Sequence, residues 1–250
     1  MFSVFQGVQL DDSNWGSANM DVIPIIFSSI IQEFSQVLGP SWRSPHPLVI
    51  SHWDKEYPMC CKNSDNTVHI FLTSKDNYWS QYTYQFAHEF CHFIIDGPLD
   101  GKLESSFWFE ESICEMASMF FLRKVADCWK NPILEFPRAL QTFAPNNITY
   151  LENLIQKYHN IDIPLRQWIL QKMDVLNEDR YNRKEYNMIA KALLPLFEDN
   201  PQMWKIVPFL KRIPLEQYVD FNHFIKEFVK SNIPKNITQL YNEFANLVTY

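Results

Sequence analysis

The sequence predicts a mixed α+β protein, and three observations carry that expectation. β-branched and aromatic runs are confined to the first hundred residues, helical periodicity fills nearly all the rest, and the composition can bury a core. Of 250 residues, 46% are hydrophobic and 16% aromatic, enough for one large domain or two lobes sharing a cleft. The net charge is -7 and no run of Lys or Arg occurs, so neither nucleic acid nor an acidic membrane surface is expected as the main partner.

Taken in chain order, segment 22–38 repeats its apolar residues at helical spacing and stops at Gly39-Pro40, which predicts a helix. Segments 48–53 (LVISHW) and 67–73 (TVHIFLT) are short, β-branched and aromatic, and bounded by Pro and Asn/Asp/Ser clusters, as strands are. Segment 78–95 contains neither Pro nor Gly; Asp76 or Asn77 can cap its start and Gly97-Pro98 can end it. Segment 106–127 (SFWFEESICEMASMFFLRKVAD) is apolar around most of a helical circumference, the pattern of a buried helix. Pro98, Pro132, Pro137, Pro145, Pro164, Pro201, Pro214 and Pro234 fall at plausible joints between helices. The expected organisation is an N-terminal α/β lobe over 1–100 and a mainly helical lobe over 101–250, with no repeat or low-complexity linker.

The N-terminus lacks a basic region followed by a sustained apolar one, so no secretory signal is expected. The longest apolar stretch, 22–31, is broken by Pro24 and two serines and is too short to span a bilayer; a soluble, cytoplasmic protein is the expectation. Five cysteines, an odd number without C-x-x-C spacing, read as reduced and mostly buried. The N-x-T triplets at Asn147 and Asn236 carry little weight in such a compartment. No heptad pattern stands out, which leaves the oligomeric state open.

One constellation carries chemistry. His88-Glu89-Phe90-Cys91-His92 has two histidines four residues apart, and on a helix they share a face. Phe86, Phe90 and Phe93 fall roughly opposite, so one side of this helix anchors in a core while the other presents two imidazoles flanked by Glu89. Zinc takes such a pair plus a third ligand, often a carboxylate, and keeps a fourth position for water. The helix over 106–127 offers Glu111 and Glu115, one turn apart on one face, and buried carboxylates are costly unless they are paired or bind a metal. Glu110 is the rival to Glu111. Cys91 and Cys114 lie close in sequence but read as core, while His46, His52, His69 and His159 have no partner at ligand spacing. The aromatics of the C-terminal half recur at helical spacing and read as core packing.

These residues resemble the gluzincin metallopeptidases, which include the thermolysin-like enzymes and the zinc aminopeptidases. Eighteen residues separate His92 from Glu111, and W-F-E-E-S-I-C-E from Trp108 is similar to the aminopeptidase segment that carries a glutamate ligand. The resemblance implies a zincin-like catalytic core, Zn2+ held by His88, His92 and Glu111, Glu89 as general base, and a peptide or protein substrate. It implies a supporting part for Glu115 and for Asp96, orienting ligands from behind. Tyr186 resembles the catalytic tyrosine that stabilises the oxyanion, with Tyr181 and His223 as fallbacks, although Ile189 stands where a glycine is usual. The strand over 67–73 stands where the family's substrate-binding edge strand does. No G-x-M-E-N-like segment precedes His88, and Ser112 replaces the glycine that commonly follows the ligand glutamate, so an ordinary aminopeptidase is not expected. The alternatives are an inactive protein that keeps this scaffold for binding or regulation, and a helical interaction protein without metal.

Overall fold

The computed structural model describes residues 2–5, 7–39, 46–95, 107–178, 183–210 and 235–248. It is mixed α+β and mostly helical, with five strands gathered in one sheet. The chain divides into two compact units, Met1–Pro98 with Ala117–Lys157, and Leu99–Met116 with Tyr158–Tyr250. The boundary expected from the sequence lies near residue 100; in this division the helix over Phe107–Lys130 belongs partly to each unit.

In the first unit, strands β1 (Phe2–Phe5), β2 (Val8–Leu10), β3 (Leu48–His52), β4 (Met59–Lys62) and β5 (Val68–Leu72) line up in the order β1-β2-β3-β5-β4. β2, β3 and β5 run parallel, in a register that sets Leu48 beside Val8 and Val68, and Ile50 beside Leu10 and Ile70. β1 and β4 close the two sides antiparallel. Alternation along β5, with Val68, Ile70 and Leu72 buried and His69 and Phe71 half-buried, gives the sheet one core face. The expected substrate-side strand over 67–73 is therefore corrected: β5 is paired on both sides, and the terminal strand beside it is β4. A short turn joins the two, where Asn66 adopts φ 66°, Asn63 N–H donates to the Thr67 carbonyl at 2.8 Å and Thr67 N–H to the Asp65 carboxylate at 2.9 Å.

Helix α1 (Ile23–Leu38) joins β2 to the parallel β3 and buries Ile23, Ile26, Phe27, Ile30, Ile31, Phe34 and Leu38. Pro24 lies in its first turn, where the missing N–H costs nothing, and Gly39 ends it at φ 93°. Helix α2 (Trp79–Ile94) starts at Tyr78 without a side-chain cap. The expected cap, Asp76, is engaged elsewhere: it sits at φ 56° and its carboxylate accepts both the N–H and the hydroxyl of Ser17 at 2.7 Å. The expected stop at Gly97-Pro98 lies outside the described residues.

Helix α3 (Phe107–Lys130) is the long one, and Ala117 onward belongs to the first unit. There Phe121 stacks on Phe34 of α1 at 3.7 Å, Trp129 Nε1 donates to Ser29 Oγ at 3.0 Å, and Ser118 Oγ donates to the Tyr84 carbonyl of α2 at 2.9 Å. Helix α4 (Arg138–Lys157) carries Pro145 inside it rather than at a joint, and Asn147 is fully buried, its Oδ1 accepting from Ser80 Oγ at 2.8 Å. A buried Asn147 is no glycosylation site.

The second unit contains helices α5 (Leu165–Glu178) and α6 (Arg183–Asp199), a 3₁₀ helix (Pro201–Phe209) and α7 (Lys235–Val248). Phe197 packs edge-on against Trp204 at 5.1 Å and against Phe244 at 6.1 Å, and Phe109 lies 5.7 Å from Phe244. Trp168 and Trp204 are buried, in keeping with the expected core role, while Phe221, Phe224 and Phe228 lie outside the described residues. Among the described residues no helix is long and apolar enough to cross a membrane.

Candidate metal centre

The site begins with a helix face. Phe86, Phe90 and Phe93 are at most 1% exposed and hold α2 in the core, with Phe86 4.6 Å from Phe27 and Phe90 5.2 Å from Phe34, both on α1. That anchoring fixes the rotation of α2 about its axis. His88 and His92, one turn apart, then project together: their ring centroids are 5.0 Å apart and their Nε2 atoms 3.3 Å apart.

The Ser118–Tyr84 bond sets the register of α3. Glu111 stands two turns before Ser118 on one continuous helix, while His88 and His92 stand one and two turns after Tyr84. A carboxylate oxygen of Glu111 and a ring nitrogen from each histidine lie within 4.8 Å of one another. Among the described residues no other three metal-donor side chains converge in this way.

The distances test whether an ion fits. Two nitrogens bound at about 2.0–2.1 Å to a tetrahedral centre stand roughly 3.3–3.4 Å apart. The two Nε2 atoms are already at 3.3 Å, the separation such a centre requires. The two-imidazole, one-carboxylate set could hold a metal ion with no rearrangement of α2. His88 is buried, and His92 and Glu111 are half-buried.

Glu89 follows His88 on the same helix and is 5% exposed. Its charge is felt on β4: burial first, and the Glu89 carboxylate second, push the Cys61 thiol above its ordinary range. No signal in the sequence announced β4, whose four residues, MCCK, have no β pattern.

The other candidates fall as follows. Glu115, one turn beyond Glu111, is 1% exposed, and Glu110, 8% exposed, stays out of the three-donor cluster. Cys91 and Cys114 are fully buried in their helices, as expected of core thiols. Tyr186 is 1% exposed in the first turn of α6, within the second unit. Asp96, Tyr181 and His223 lie outside the described residues. His46 bonds Lys62 at 3.0 Å, His52 is buried, His69 stacks on Phe71 and His159 is exposed, so none joins the cluster.

No protein-family model, curated protein or solved structure matches the chain.

Proposed function

We propose that the protein is a zinc-dependent peptidase of the zincin type, in which His88, His92 and Glu111 hold the ion and Glu89 is the general base. The single observation that carries this reading is the convergence of three donor atoms within 4.8 Å beside a buried carboxylate. Zinc supplies Lewis acidity at such a centre, polarising the scissile carbonyl and lowering the pKa of water. Glu89 would act as general base toward the attacking water and return the proton to the leaving amine, which requires it to be ionised at the start and within hydrogen-bond reach. Its burial at 5% exposure keeps bulk water from competing for the same proton.

Glu115 orients one ligand imidazole; a buried acid behind a ligand histidine fixes its tautomer and raises its basicity. Tyr186 is assigned to the oxyanion. An extended peptide substrate lies along β4, the terminal strand whose Cys61 senses Glu89, rather than along β5, which is paired on both sides.

The Glu89→Gln variant tests the assignment of the base. Digestion of a broad peptide library, with a chelator control, should fall by about 10²–10⁴-fold while zinc content is unchanged. Undiminished turnover would remove Glu89 from the mechanism. Zinc binding without chelator-sensitive cleavage in the wild type would instead mark a scaffold kept for binding.

A further inference from the structure

We propose that His52 is an acid-released latch for the loop that Trp15 anchors and, through that loop, for the N-terminal end of α2. The geometry lies wholly in the first unit. His52 is the last residue of β3 and 6% exposed, and Trp15, 2% exposed, packs edge-on against its ring at 5.7 Å and 68°. On its other sides Trp15 meets Tyr82 of α2 at 5.7 Å and Phe27 of α1 at 6.0 Å.

Backbone bonds make the wedge a clamp. Asp11 N–H donates to the Ile50 carbonyl of β3 at 2.9 Å, Asp76 N–H donates to the Trp15 carbonyl at 3.1 Å, and Ser17 is tied to the Asp76 carboxylate. The loop over 11–19 therefore joins the end of β3 to the entrance of α2, which has no side-chain cap of its own. A neutral imidazole suits this aromatic slot. An imidazolium does not, because neither ring nitrogen has a well-aligned acceptor and a buried charge needs one.

The charged and titratable neighbours are Lys75 and Asp54, paired with each other at 2.6 Å, Asp11 and Asp76 at the loop ends, and the buried Tyr82 hydroxyl, which burial keeps protonated. Burial and then Lys75 hold the His52 pKa below 6.5, while the Thr73 backbone and Asp54 pull the other way. With the folded pKa below the unfolded one, His52 supports the clamp fully above pH 6.5 and withdraws that support as the pH falls toward the folded value. Released acid-side, the imidazolium reaches water by displacing Trp15, and the first turns of α2 lose their cover.

The latch is independent of any ion, so the test uses metal-free protein. Hydrogen exchange is followed in segments 11–19 and 78–84 at neutral and mildly acidic pH, each point referenced to the His52→Gln variant. Protection should drop by about tenfold more in the wild type than in the variant. Equal loss in both would overturn the latch. Should His52→Gln fail to fold, the wild-type NMR titration decides: a His52 midpoint below 6.5 that moves with the Trp15 indole N–H supports the latch, and a midpoint at or above 6.5, or an indole that does not follow it, overturns it.

Discussion

His88 and Glu89 are each 5% exposed on a helix whose opposite side is phenylalanine, and polar atoms in such a place cost free energy unless they are paired. In the proposed centre, a cation would be one partner for the His88 imidazole. The motif letters alone were enough to find these residues, because a four-residue spacing on a helix has one geometric meaning. Asp76 was legible only as a cap, since its real partner, Ser17, lies far away in sequence. The Ser17 backbone N–H and then its hydroxyl hold the Asp76 carboxyl below its ordinary 3.8. The folded pKa is depressed, so Asp76 contributes stability in full above 3.8 and loses it as the pH falls through the folded value. Urea melts should accordingly show a gap between wild type and Asp76→Asn at neutral pH that narrows on acidification below 3.8; a constant gap would mean that the carboxylate charge is irrelevant.

At the scale of elements, α2 and α3 matter most, and one hydrogen bond sets their register. Ser118→Ala removes the donor to the Tyr84 carbonyl, and thermal melts should show a loss of about 0.5–1.5 kcal/mol. If that bond also aligns Glu111, metal affinity falls in the same variant although Ser118 is two turns from the ligand. Unchanged affinity would mean that the Ser118–Tyr84 bond does not align Glu111.

Both helices could be read from the sequence because each is long, strongly patterned and free of internal Pro. β1, β2 and β4 could not: with three or four residues apiece they are too short for a period of two to declare itself. The edge position expected for β5 came from the family resemblance alone, and β4 pairs with the side that would have been open. Pro145 misled for another reason, since a proline inside a helix is tolerated where tertiary packing holds the turns around it, here Leu140, Ala144, Asn147 and Leu151, all buried.

On the scale of the whole molecule, the change in character near residue 100 was visible because β-type runs stop there. The return of Ala117–Lys157 to the first unit was not, because an apolar helix does not record which partner covers it. α3 runs through both units, with Glu111 on the part preceding Ala117 and Ser118 just after it.

The central claim is that side chains from two helices make one metal centre, and calorimetric titration of the metal-free protein with zinc tests it most directly. The account predicts one zinc per chain, with affinity reduced at least tenfold by His92→Ala and by Glu111→Ala, on the order expected for loss of a ligand. Absence of stoichiometric binding in the wild type, or binding equally tight in both variants, would contradict it.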